Sequence, residues 1–327
     1  MKENQPLKKL LVIGSTCVDV VLRLDHLPST GEDLHPYSQH FRMGGCAYNV
    51  AKVAHANTVP LHFVTPVGCG IFGDFVWSHL EKDGFTGPVR IENKENGCCY
   101  CFVEKDGERT FLSVHGIEYS FDESYVKDVE NVAFDYTYIS GLEVEEPTGD
   151  NLIDWLTSHP NRGTVLYAPG PRGVMLCKEK TEKVLALHPI LHLNASEVIT
   201  LADAISSNAL HADSDQFNVE VAARVLYAVT QNMVIVTLGK DGVFWLSKDG
   251  TSHSLPGIKT TVVDTIGAGD SHCGAVLTGL CLDLPEKVIM KNANAIAATV
   301  VSKEGATLTD SEYQMAFLNS FFINRTD

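Results

Sequence analysis

The sequence predicts an α/β protein of three layers, a mostly parallel central sheet with helices on both faces, and a small β-sheet beside it. Three observations carry this expectation. From Val132 onward, short apolar runs alternate with helical stretches, the rhythm of parallel strands joined by crossovers. Residues 96–116 break that rhythm: Cys99-Tyr-Cys-Phe-Val and Arg109-Thr-Phe-Leu-Ser-Val flank the turn Lys105-Asp-Gly-Glu, which reads as a β-hairpin. Finally, an extended segment runs into Gly267-Ala-Gly269 and then into an apolar helix.

Taken in chain order, Lys9–Ile13 is a strand that opens into the loop Gly14-Ser15-Thr16. Residues 24–45 carry Pro28, Gly31, Pro36 and the pair Gly44-Gly45, so turns and short strands are expected there. A helix follows over Asn49–His55, then a strand over Leu61–Val67. Another helix spans about Phe72–Asp83 and stops at Gly84. Strands are expected at Tyr136–Ser140, Thr164–Ala168, Ile190–Asn194 and Met233–Leu238. Helices are expected near 148–158, 174–187, 195–206 and 217–231. A second hairpin, Gly242–Leu246 with Thr251–Leu255, turns at Lys248-Asp-Gly. The last clear helix runs from Asp270 to about Cys281.

The 327 residues suit one large α/β domain over 1–327, with segments of about 17–42 and 96–116 forming the small sheet. The 25 Lys+Arg against 41 Asp+Glu leave a net charge of −16, which excludes the broad basic footprint of a nucleic-acid or anionic-membrane binder. It leaves room for a small anion pocket built from backbone amides. The longest apolar run, Leu10–Leu24, is interrupted by Gly14, Ser15, Thr16, Asp19 and Arg23, so no membrane span is expected. The start of the chain lacks a clean leader pattern, and a cytoplasmic protein is expected. The nine cysteines are an odd number, and Cys17, Cys273 and Cys281 sit in apolar stretches, so they read as reduced thiols.

The chemistry concentrates in Val262-Val-Asp-Thr-Ile-Gly-Ala-Gly-Asp270. Glycines let several amides converge on one point, and a helix start adds partial positive charge. Together they suit a transferring phosphoryl group. Asp270, at the same helix start, can take a proton from a hydroxyl facing that phosphate. It can equally be an N-cap without chemistry.

Asp264-Thr-Ile-Gly-Ala-Gly-Asp270 resembles the C-terminal signature of the ribokinase-like, PfkB-type carbohydrate kinases. Gly44-Gly45 with Asn49 resembles the family's N-terminal glycine pair, and Asn194-Ala-Ser-Glu197 its N-x-x-E motif. Thr237-Leu-Gly239 and the segment from Asn294 to Gly305-Ala306 resemble its nucleotide side. The resemblance covers about residues 9–310 and implies the ribokinase-like sandwich with a β-sheet lid, closing to exclude water. It implies that Asp270 is the base and that Gly267, Ala268 and Gly269 form the anion hole. It implies that Asp19, Gly44, Gly45 and Asn49 bind a sugar, with Glu143 as a further contact. ATP would lie against Asn194, Glu197, Thr237, Gly239 and Asn294. Glu197 would organise Mg²⁺ through water. The carbonyls of Asp264 and Ile266, with the turn at Lys303 and Gly305, would form a monovalent-cation site for K⁺. A homodimer through the lid is expected.

Some residues depart from the pattern. Gly68-Cys-Gly70-Ile-Phe-Gly73 matches a dinucleotide-binding spacing but is not the first strand–helix unit, so no dinucleotide is expected there. Gly70 stands where relatives usually have an acidic residue, Ala168 where many have Asp, and His272 where Phe is common. His272 reads as a packed or capping residue, with a functional contact as the alternative. Arg42, Arg109 and Arg172 are either structural or contacts to an acidic ligand. Cys98-Cys99 and Cys101 suggest metal, but with no matching His/Cys pair in sequence they read as a lid strand. The expected activity is transfer of the γ-phosphate of MgATP to a sugar hydroxymethyl group. A nucleoside kinase is the alternative, its base in a slot from Tyr37, Phe41, Tyr100 and Phe102. A sugar sensor without catalysis is a third reading.

Overall fold

The computed structural model describes residues 7–206 and 215–322; the first six residues, part of the start read for a leader, lie outside them. The chain opens with β1 (Leu10–Ile13), β2 (Cys17–Arg23), β3 (Ser38–Gly44), α1 (Cys46–Ala56) and β4 (Leu61–Val64). Next come β5 (Pro66–Cys69), α2 (Gly70–Asp83), β6 (Val89–Glu95), β7 (Cys98–Val103) and β8 (Arg109–Val114). The alternating part follows as β9 (Tyr136–Ser140), α3 (Gly141–Glu145), α4 (Gly149–Ser158), β10 (Thr164–Ala168), α5 (Gly170–Gly173) and α6 (Lys178–Leu185). It continues through β11 (Ile190–Asn194), α7 (Ala195–Ile205), α8 (Asp215–Thr230), β12 (Val234–Thr237), β13 (Val243–Leu246) and β14 (Ser252–Leu255). Three helices close the chain: α9 (Ala268–Cys281), α10 (Glu286–Val301) and α11 (Asp310–Phe322).

Eight strands form the large sheet in the order β14-β13-β12-β11-β10-β9-β1-β4. Pairing is parallel from β4 to β12 and antiparallel at the β13–β14 hairpin. The strand β1 is buried along its whole length, as a strand covered on both faces must be. Successive residues feed opposite cores: Leu10 and Val12 join Val50, Val276 and Ile296, whereas Leu11 and Ile13 join Ile153, Leu191 and Val198. Helices thus cover both sides of the sheet, the expected three layers. Among the described residues no helix is long and apolar enough to cross a membrane.

The smaller sheet has the order β3-β2-β7-β8, from the two segments expected for it. Its hairpin is fastened at the root. Buried Glu118 accepts hydrogen bonds from the amides of Gly97 (2.8 Å) and Gly116 (3.0 Å), the residues bracketing β7 and β8. At its outer edge, β8 exposes Phe111, Leu112 and Val114.

Two expectations need correction, and one strand was missed. The strand expected over 61–67 is two strands, broken at buried Thr65, whose hydroxyl pairs with that of Thr16 (2.9 Å). Beyond the break β5 leaves the large sheet and pairs with β6. The sequence reading missed β6: Val89 and Ile91 alternate with Arg90 and Glu92, but this brief alternation runs on into the polar Asn93-Lys94-Glu95. The helix expected over 174–187 starts only at Lys178, since Gly170–Gly173 first makes a short helical turn of its own.

Candidate active site

The carboxyl ends of β9 to β12 and the start of α9 enclose a cavity of about 310 Å³. Ser140, Ala168, Asn194, Thr237, Gly269 and Asp270 line it. In open α/β sheets ligands bind beyond the carboxyl ends of the strands. A second cavity of about 260 Å³ lies between the smaller sheet and the turns around 264 and 305. Asp19, Arg42, Cys101, Arg109, Asp264 and Gly305 contribute to it.

Gly267 caps α9 in the left-handed region, φ 73°. A β-carbon there would also lie 2.2 Å from the Ala306 carbonyl oxygen, so only glycine fits. Gly269 is different: nothing lies within 4 Å of where its β-carbon would be. First-turn amides of a helix have no intrahelical acceptor, and Gly269 and Asp270 line the cavity wall. Amides so placed are suited to an anion, although that of Ala268 donates to the Thr265 carbonyl at 3.4 Å.

Asp270 accepts a hydrogen bond from Asn49 Nδ2 at 2.8 Å and another from the Cys46 thiol. Burial pushes its carboxyl above the usual range, Glu143 adds to that, and the two donors oppose it. Burial holds the Cys46 thiol far above its ordinary value, so it stays protonated and donates. Asn49 is buried, and its Oδ1 has no partner among the described residues, an acceptor aligned beside the base.

Asp19 lies on β2 directly across from Arg42 of β3. Gly44 makes room for it: a β-carbon there would sit 2.5 Å from Asp19 Oδ2. Burial first, then Cys99 and Asp270, raise the Asp19 carboxyl to about 7. Gly45 is the N-cap of α1. Glu143 lies underneath rather than in a cavity. Its carboxylate accepts from Ser15 N (2.8 Å) and Ser140 Oγ (2.6 Å), and it is 2% exposed.

On the other side, Asn194 and Glu197 form a reciprocal capping box at the start of α7. Asn194 Oδ1 accepts from Glu197 N at 2.9 Å, and Glu197 Oε2 accepts from Asn194 N at 2.9 Å. Both line the first cavity, and burial raises the Glu197 carboxyl. Thr237 lies at the end of β12, donating to the Leu193 carbonyl at 3.3 Å. Gly239 and Asn294 line neither cavity; Asn294 Nδ2 donates to the Pro256 carbonyl at 3.2 Å.

Asp264 ties three parts together. Its oxygens accept from Ile266 N (2.9 Å) and Gly305 N (3.0 Å), and Arg109 of β8 pairs with it. Arg42 pairs with Glu304 at 3.1 Å, and Arg172, on the wall of the first cavity, pairs with Glu145 at 2.8 Å. His272 packs in the interior, its Nδ1 2.9 Å from His192 Nε2. Burial lowers it to about 4, so it is neutral near pH 7. Of the aromatic slot, Tyr37 is tied to Asp25 (2.9 Å), and Phe41 packs edge-on against Phe72 and Phe75. Tyr100 packs against the core, and Phe102 shares its side of β7. None of the four lines either cavity, so they do not form the expected slot.

Sequence reasoning missed Cys46, although its i, i+3 spacing with Asn49 puts both on one helix face. It also missed the Asp264–Arg109 pair, which no local pattern announces.

A family model described as pfkB family carbohydrate kinase matches residues 7–312. The chain is 30% identical over 299 residues to the uncharacterized sugar kinase YegV of Escherichia coli K12, covering 91% of this chain and 90% of that one. A solved ribokinase from Cryptococcus neoformans in complex with ADP superposes with a TM-score of 0.78 at 22% identity, over 95% of this chain and 99% of that one. A Burkholderia thailandensis nucleoside kinase in complex with inosine superposes with 0.75 at 14% identity, over 96% and 97%.

Proposed function

The chain belongs to the pfkB family of carbohydrate kinases, and from that membership we propose that it phosphorylates a hydroxymethyl group of a free sugar with ATP. The observation that carries this reading is Asp270, held by Asn49 and Cys46 beside the open amides at Gly269. The sugar hydroxyl gives its proton to Asp270 as its oxygen attacks the γ-phosphorus. The bond to the bridging oxygen breaks, and ADP leaves. Amides at Gly267, Ala268 and Gly269 stabilise the charge on the transferring group.

ATP occupies the first cavity, its phosphates toward Asn194, Glu197 and Gly269, its nucleoside past Thr237 toward Gly239 and Asn294. The sugar lies between Asp19, the Gly44-Gly45 turn and Asn49, with Glu143 holding the floor rather than touching it. The hard oxygens of Glu197 suit Mg²⁺, and because they already accept from Asn194 they would hold it through water. That ion would offset phosphate charge. Asp264 draws together the turns whose carbonyls, at Asp264, Ile266 and Gly305, would face K⁺. The molecule works as one catalytic domain in the cytoplasm, its smaller sheet closing over the sugar and its β8 edge meeting a second copy. A monomeric mass by light scattering would remove the dimer.

The Burkholderia neighbour binds inosine, which keeps a nucleoside substrate in the test. That none of the four aromatic side chains lines either cavity favours a sugar. The test is ADP release from MgATP across pentoses, hexoses, acidic sugars, sugar phosphates and nucleosides, with and without K⁺. A sugar should give turnover that Asp270→Asn abolishes. Turnover with nucleosides alone moves the substrate class. Silence throughout, with ATP still bound in calorimetry, replaces the enzyme by a sensor.

A further inference from the structure

Cys99 and Cys101 stand two apart on β7, so both face one side of the smaller sheet. That side faces the second cavity, which Cys101 lines. The parallel partner strand β2 brings Asp19 directly opposite Cys99. The two sulfurs and a carboxylate oxygen of Asp19 all lie within 4.8 Å of one another. Cys99 Sγ and Cys101 Sγ are 3.9 Å apart. Around a tetrahedral zinc ion with bonds near 2.3 Å, two sulfurs lie about 3.8 Å apart. The sulfur pair is therefore already spaced for one ion.

We propose that Asp19, Cys99 and Cys101 form a binding site for a soft divalent cation such as Zn²⁺, with an open fourth position toward the second cavity. Two thiolates and a carboxylate are a donor set that suits zinc and is poorly matched to Mg²⁺. Arg42 faces Asp19 from β3 and opposes a cation, but its guanidinium is engaged by Glu304. Three ligands with a fourth position left open describe a site that exchanges its ion rather than a structural one.

Resting on the reading of Asp19 as a sugar ligand, the same ion competes with the substrate. A carboxylate bound to zinc no longer accepts hydrogen bonds freely from sugar hydroxyls. Zinc entry also releases thiol protons, which gives binding a signature independent of turnover.

The experiment is calorimetric titration of the full chain with Zn²⁺ in two buffers of different ionisation enthalpy, without ATP or sugar. Titration with Co²⁺ follows, to read the near-ultraviolet band of a sulfur–metal bond. One equivalent is expected to bind with proton release and the sulfur band. The Cys99→Ser/Cys101→Ser double variant should weaken binding at least tenfold. Cys177→Ser, which removes an exposed thiol elsewhere, should bind as the parent does. Equal binding by parent and double variant overturns the site, as does the absence of a sulfur band. A Cys177→Ser variant that loses binding overturns it too. Zinc inhibition of ADP release that the double variant escapes supports the competition. If binding follows the cysteines but sugar never competes with it, the metal site stands and the sugar role of Asp19 falls.

Discussion

Helices α2 and α9 both begin on glycine-rich turns after extended segments, and the two turns serve opposite ends. At α2, Gly68 and Gly73 bring backbone against backbone, whereas Gly70 meets only the Glu95 side chain at 3.8 Å. A β-carbon on Gly68 would lie 2.4 Å from the Asn96 amide nitrogen, and one on Gly73 would lie 1.9 Å from the Gly68 carbonyl oxygen. Asn96 seals the contact by accepting from Gly68 N at 3.0 Å. At α9, Gly267 is packed in the same way, but Gly269 faces open space. The spacing G-x-G-x-x-G therefore accompanies a packing joint at α2, whereas the less regular G-A-G carries the anion site proposed above. What separates Gly68 and Gly73 from Gly269 is whether the space above the glycine is filled by the backbone.

The comparison can be broken by mutation. Asp270→Asn should lower kcat by about 10³-fold while the denaturation midpoint stays in place, because the base is lost and the packing is not. Near-normal turnover would reduce the α9 turn to a capped helix start. Next in size, Gly269→Ala and Gly73→Ala should separate cleanly. The first costs about 10²-fold in kcat with little change in stability. The second costs about 3 kcal/mol of stability by denaturant titration, with turnover per folded molecule retained. A reversed pattern would exchange the roles of the two turns.

A smaller effect concerns the link from β8 to the α9 turn. Arg109→Met leaves the carboxylate of Asp264 with its two amides but no counter-charge. Stability should fall by about 2 kcal/mol, and ATP hydrolysis without sugar should rise as the smaller sheet closes less firmly. Unchanged values on both counts would make the pair incidental. The smallest effect is in pH dependence. Asp270 must be ionised to act, and burial raises its carboxyl, so activity is lost as pH falls through that raised value. Cys46, Asn49 and Glu143 face it, and the Asn49 donor holds the value down. Asn49→Leu should therefore move the acid limb of the kcat profile upward. A limb that stays put would mean that Asn49 does not touch the base during turnover.

Much of this molecule is legible in its sequence because its signals are local. The strands Tyr136–Ser140, Thr164–Ala168 and Ile190–Asn194 fall where apolar runs meet turn residues. Asp270 and its glycines are contiguous, so their meaning survives without a structure. What escaped depends on register and distance. Charged β6 alternates too briefly, over Val89–Glu92, to stand out. The apposition of Asp19 with Cys99 is set by parallel pairing across eighty residues, which the residues around either one do not encode. Asn194 and Glu197 were legible as a motif, yet their mutual capping is a second reason for the same spacing, visible only once their atoms are placed.

The clasp of Glu118 on the two ends of the β7–β8 hairpin separates where that hairpin stands from what it is made of. Because the clasp grips the backbone amides of Gly97 and Gly116, side chains between them can change without loosening it. On the proposed reading, the phosphate chemistry at α9 would stay fixed while the surface of the hairpin that meets the acceptor is rewritten.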